Sequence, residues 1–111
     1  MKINIQSPSL HPSDKLLDFA NDKISKLAQY SDRIIEAQVT LKVNKADDRA
    51  NKVCEIRLSI PGNDLYASRH CPSFKEAIMK TVEALRPQLL TWKEKAQKRN
   101  IENIEKYLPE N

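Results

Sequence analysis

A chain of 111 residues with 40% hydrophobic and 31% charged side chains can bury one modest core, and it holds no apolar run near the roughly twenty residues that a membrane-spanning helix needs. The opening residues lack the apolar centre of a secretory signal. Two cysteines, Cys54 and Cys71, are too few for a disulfide framework, so the sequence predicts a cytoplasmic protein with both thiols reduced. The formal net charge of +4 is unevenly placed: from Arg86 to Arg99 five basic residues (Arg86, Lys93, Lys95, Lys98 and Arg99) stand against one acid, Glu94, a surplus equal to that of the whole chain. Such clustering points to a polyanion partner, nucleic acid first, beside the plainer reading of a solvated basic face.

In chain order, Lys2 to Gln6 alternates polar and apolar with Ile3 and Ile5 on one side, a short strand. Ser7 to Pro12, with two prolines and two serines, is a connection. Ser13 is a candidate N-cap, and Leu16, Leu17, Ala20, Ile24 and Leu27 follow at helical steps, flanked by Phe19 and Tyr30; the pattern predicts a first helix of about 16 to 18 residues. Ser31 to Arg33 breaks it, and the period then changes from 3.6 to 2. Ala37, Val39, Leu41 and Val43 share one side of a strand. Asn44 to Lys52 is a polar hairpin loop centred on Asp47, Asp48 and Arg49. Cys54, Ile56, Leu58 and Ile60 share one side of the next strand. Pro61 to Asp64 is a turn in which Gly62, the only glycine, supplies positive φ at the third position of a type II turn. Leu65 to His70 is a short last strand.

The second helix is predicted from Ser73 to about Arg99. Ile78, Val82, Leu85, Leu89, Trp92 and Ala96 lie on one stripe, Phe74 and Ala77 extend it, and Ser73 with Glu76 has capping-box spacing. Pro87 lies inside this run, but the stripe keeps its phase across it, which predicts one kinked helix and not two. Ile101 to Asn111 is a tail. The order β-α-β-β-β-α predicts an α+β fold: a four-stranded, mostly antiparallel sheet with both helices packed on one face. Residues 1–100 form a single domain. The open face carries Lys2, Asn4, Gln38, Lys42, Arg57, Ser59, Tyr66 and His70.

At 100° per residue, Lys75, Arg86 and Lys93 lie along one border of the second helix's apolar stripe and Lys95 and Arg99 along the other, with Glu76, Glu83 and Glu94 on the outer face. Lys23 and Lys26 repeat the pattern on the first helix, diluted by Asp18 and Asp22. Long stems covering the core edge explain a single lysine; phosphate binding is the better account of the group. Trp92 reads as core edge, and Tyr66 and His70 as strand surface or, less simply, stacking groups. No catalytic residue, metal ligand or cofactor is indicated: one glycine cannot build a phosphate loop, His11 and His70 lack metal-ligand spacing with the cysteines, and His70 and Cys71 point to opposite sides of a strand. The sequence therefore predicts a protein that is not an enzyme.

Several strings, in this order, resemble the ribosome hibernation promoting factor family, also called ribosome-associated inhibitors or sigma modulation proteins, from Met1 to about Lys95: Lys2-Ile3-Asn4-Ile5, Lys23-Ile24-Ser25-Lys26-Leu27 with Tyr30, Ile60 to Leu65, Ala77-Ile78, and Leu85 with Gln88-Leu89. The resemblance implies a fold similar to a double-stranded RNA-binding domain with an added first strand, and a short-form translation inhibitor. Such a protein docks in the cleft of the small ribosomal subunit where messenger and transfer RNA sit, with basic side chains of both helices on ribosomal RNA. Carried over by position, Lys23 and Lys26 match the family's basic pattern. Where the family commonly shows Lys-Leu-x-Arg-Gln-Leu, this chain has Ala84 to Leu89 with Pro87 among them, so two expected charges are missing and Lys80, Arg86, Lys93 and Lys95 stand as substitutes. With Lys75 these make the expected RNA-binding set. The alternatives are a stand-alone module for double-stranded RNA and a protein-interaction adaptor working through the open sheet face.

Overall fold

A computed structural model describes the backbone of residues 1–46 and 49–107 and the side chains of those up to Lys98. Its elements are β1 (Lys2–Gln6), α1 (Asp14–Ser25) running into a 3₁₀ turn (Lys26–Gln29), β2 (Glu36–Val43), β3 (Lys52–Ile60), β4 (Asn63–Cys71) and α2 (Phe74–Tyr107). The sheet order is β1-β2-β3-β4. β1 runs parallel to β2, with Ile3 opposite Ala37 and Ile5 opposite Val39; the two hairpins that follow are antiparallel. The α1 segment is the crossover that a parallel neighbour requires. This is the expected α+β fold, with both helices packed on one face of the sheet.

Local chemistry sets the boundaries. Ser13 is extended and its hydroxyl accepts from the Leu16 amide at 3.1 Å, with Asp14 in the first turn, so α1 starts on a capped and charge-matched end. Ser73 accepts from the Glu76 amide at 3.2 Å. The second arm of the expected capping box is not the one used, because the Glu76 carboxylate turns forward to Lys80 at 3.1 Å. Gly62 has φ +87°, as the Pro-Gly order requires, and the turn is tighter than expected. Ile60 pairs directly with Asn63, so Asn63 and Asp64 belong to β4 and the strand starts two residues early. At the other hairpin the Asn44 amide donates to the Asn51 carbonyl at 2.8 Å and Lys52 joins β3; Asp47 and Asp48 lie outside the described residues.

The core is the union of three apolar patterns. Ala37, Val39 and Leu41 of β2, Cys54, Ile56, Leu58 and Ile60 of β3, and Leu65, Ala67 and Cys71 of β4 are buried beneath Ala20, Ile24 and Leu27 from the first helix and Ala77, Ile78, Leu85 and Leu89 from the second. Thr81 is the one buried polar side chain among the described residues. Its hydroxyl lies 2.7 Å from the Ala77 carbonyl and 3.2 Å from that of Cys54, which satisfies it inside an apolar layer. Val53 is buried although its register places it on the open face, opposite Lys42 and His70. The helix assignment of α2 passes through Pro87 without a break, as the phase of the stripe predicts, and continues to Tyr107, beyond Arg99 where the pattern was expected to stop. Leu108 to Asn111 lie outside the described residues.

Candidate nucleic-acid interface

The helices divide the sheet between them. α2 packs over β3 and β4, α1 reaches β1, and the helices touch each other. This leaves a groove on the outer surface of the helical layer, and its walls are lined by Lys23, Lys26, Tyr30, Met79, Val82 and Arg86, with Glu83 on the rim. Lys75 enters from the start of α2: its ammonium lies 5.4 Å from the centre of the Phe19 ring, and Lys23 from α1 lies 5.5 Å from the same ring. A half-buried aromatic side chain thus gathers one cation from each helix, an arrangement that cation–π attraction favours. Farther along, Lys93 and Arg33 line a second hollow with Tyr30 and Trp92, and the Arg33 guanidinium sits 5.5 Å from the Trp92 ring. By helix rise the cations from Lys75 to Lys93 span about 27 Å.

Of the seven basic residues singled out by sequence, Lys23, Lys26, Lys75 and Arg86 are thus brought together and Lys93 extends the line. Lys80 and Lys95 are elsewhere. Lys80 is held by Glu76, and that hydrogen bond pushes its pKa up. Lys95 lines a hollow on the opposite border, with Pro61, Gly62, Pro87 and Trp92. Arg99, expected near Lys95, lies outside the residues whose side chains are described. Among the described residues Lys23, Lys75, Arg86 and Lys93 form no ion pair, and the pair of Lys26 with Asp22 is long, 3.8 Å, and exposed. Glu83 and Glu94 are exposed, as expected for acids on the outer face of α2, and Glu83 also borders the groove.

Sequence reasoning missed three contributors. Phe19 was counted as a core flank, but its ring also collects two lysines. Arg33 was read as a helix breaker. Met79 went unnoticed, yet Lys75, Met79, Val82, Arg86, Leu90 and Lys93 follow one another at steps of four, three, four, four and three, which puts them on one line of the helix. Cations and apolar residues are interspersed along it, and Met79 and Leu90 are exposed by 45% and 38%. That pattern was legible.

The open sheet face has a different character. The Glu55 carboxylate accepts from the Tyr66 hydroxyl at 2.6 Å and pairs with Lys42 at 2.9 Å, while the Arg57 guanidinium lies 5.9 Å from the Tyr66 ring. The phenol's hydrogen bond first, then that of Lys42, draws the Glu55 pKa down, and the same bond pushes that of Tyr66 up. Here the Glu55 carboxylate is matched by Lys42, and Arg57 has the Tyr66 ring beside it. His70 is exposed and Cys71 is buried on the opposite face, so the imidazole does not activate that thiol; burial pushes the Cys54 thiol up to about 12, which keeps it protonated at neutral pH.

A model of the family described as sigma 54 modulation protein / S30EA ribosomal protein matches residues 3–97. The ribosome hibernation promotion factor of Deinococcus radiodurans is 31% identical over 99 residues, a match covering 87% of this chain and 51% of that protein, so the chain spans about half of that relative's length. The ribosome hibernation promoting factor of Escherichia coli K12 is 30% identical over 95 residues, covering 86% of this chain and 96% of that one. Among solved structures, the N-terminal domain of Thermus thermophilus Protein Y superposes with a TM-score of 0.72 at 22% identity, over 83% of this chain and 99% of that one, a likeness of fold.

Proposed function

The chain belongs to the sigma 54 modulation protein / S30EA ribosomal protein family, and we infer from this that it is a ribosome hibernation factor, a cytoplasmic protein that binds ribosomes and holds them out of translation in slow growth or stationary phase. It docks in the cleft of the small subunit where messenger and transfer RNA would sit. Lys23, Lys26, Lys75, Arg86 and Lys93 face the ribosomal RNA, and inhibition is occlusion. The role needs no bond-making chemistry from the protein.

The observation that carries this reading is that Lys23, Lys26 and Arg86 line one groove, with Lys75 and Lys93 on the same line of α2, and that among the described residues only Lys26 of these has a carboxylate partner, long and exposed. Lys and Arg side chains held at fixed spacing displace the counterions of a phosphate backbone. Lys80 and Lys95 stand outside the groove and take no part in the main grip. Family membership does not favour a stand-alone duplex module or an adaptor without an RNA role.

Sedimentation with separated ribosomal subunits tests the proposal. The protein is expected to travel with the small subunit and to be displaced when messenger and transfer RNA fill the cleft. Equal partition between the two subunits, or unchanged binding to a cleft already filled, would contradict it.

A further inference from the structure

The groove between α1 and α2 is not lined as a simple phosphate clamp would be. Its rim is cationic, with Lys23 and Lys26 from the first helix and Arg86 from the second, but the surface between them is Tyr30, Met79 and Val82. Met79 keeps 45% of its surface exposed. Phosphate oxygens gain nothing from a thioether, a valine or the face of a phenol ring, whose hydroxyl alone can donate to them. A nucleotide whose base has left its stack gains from all of them, because it carries a flat apolar face and an anion on one unit.

We propose that this groove seats one unpaired base of the bound RNA, its face on Met79, Val82 and Tyr30 and its phosphates on Lys23, Lys26 and Arg86. The proposal rests on RNA being the ligand of this face and adds which form of RNA the groove takes. Methionine suits the role, since its flexible, polarizable side chain packs on aromatic rings of varied outline. Glu83 on the rim repels phosphate and accepts from the amino groups of adenine, cytosine and guanine, so the polar edge of the base lies on its side and the phosphates lie toward the lysines. A continuous duplex, its bases stacked inside, reaches the cations and leaves the apolar wall uncovered. The ligand is therefore a single-stranded or bulged segment.

The chain has two methionines, so a protein labelled with ¹³C at the methionine methyls gives one signal for the groove, Met79, and one from Met1, which does not line it. Titration with a short single-stranded RNA is expected to move the Met79 signal upfield through the ring current of the base, while inorganic polyphosphate and the annealed duplex leave it in place. Met79→Ala is expected to weaken ribosome binding roughly two- to tenfold without changing its salt dependence, because no cation is lost. A Met79 signal that ignores the single strand, one that polyphosphate moves equally, or a Met79→Ala protein that binds ribosomes as tightly as its parent would overturn the proposal. The broader reading is judged separately by Lys23→Ala and Arg86→Ala, which weaken ribosome binding if RNA lies on this face, whether or not a base is seated there.

Discussion

At the scale of single residues, the open sheet face and the helical groove treat charge in opposite ways. Glu55 is tied to Tyr66 at 2.6 Å and to Lys42 at 2.9 Å, and both bonds favour its ionised form, so its folded pKa lies below its ordinary value of 4.5. A carboxyl whose pKa falls on folding contributes stability above its unfolded pKa and loses it as pH drops through the folded one. Glu55→Gln should therefore lower stability at neutral pH and flatten the loss of stability below about pH 4.3, read as the urea midpoint against pH. Tyr66 has the opposite sign: its raised pKa contributes stability below the ordinary phenol value and loses it as pH climbs through the folded one. Among the described residues the groove cations have no such partners apart from the long, exposed contact of Lys26 with Asp22. Which residues would pair was the part of the site that sequence could not supply. Glu55 and Tyr66 are eleven positions apart, and the β3–β4 register, which sets Tyr66 opposite Arg57 and beside Glu55, depends on a turn two residues shorter than composition suggested. Thr81 was equally hidden, because nothing local marks a threonine whose hydroxyl will meet the Cys54 carbonyl across the core.

At the scale of elements, periodicity carried most of the fold. The change from period 3.6 to period 2 after Tyr30, and back after Cys71, places every element, since each face must be buried against another. Boundaries were less legible where two local signals compete. Asn63 and Asp64 are turn-forming residues by type, but a two-residue connection leaves them in the ladder. α2 shows the converse case, a local signal overridden by packing. Pro87 removes a donor to the Glu83 carbonyl and would stop an isolated helix, yet Leu85 and Leu89 on either side are fully buried, and the Gln88 amide donates to the Tyr66 carbonyl of edge strand β4 at 3.1 Å. Tertiary contacts hold the helix through the fault. Pro87→Ala should therefore raise stability by about 1–3 kcal/mol, seen as a higher urea midpoint, and leave ribosome affinity unchanged, because Pro87 faces the hollow with Lys95 and not the groove. No gain in stability would mean that the helix has bent to suit the proline.

At the scale of the molecule, the sheet has one face that builds the core and one on which Glu55 is tied to Lys42 and Tyr66, and the helical layer laid on the core face presents cations of which Lys23, Lys75, Arg86 and Lys93 form no ion pair among the described residues. Net charge alone gave only a preference for polyanions. The proposed footprint narrows that preference to five cations: Lys23, Lys26 and Arg86 around the groove, Lys75 beside Phe19 and Lys93 in the neighbouring hollow, with Lys80 and Lys95 left out. The most direct measurement of this claim is the affinity for small ribosomal subunits as a function of salt. At about 0.7 to 0.9 counterions released per phosphate contact, five cations give a log–log slope of roughly −4. Lys23→Ala and Arg86→Ala should each make the slope shallower by a little under one, and Lys95→Ala should leave it as it is. Binding that ignores salt, or a slope that changes as much with Lys95→Ala as with Arg86→Ala, would contradict the account.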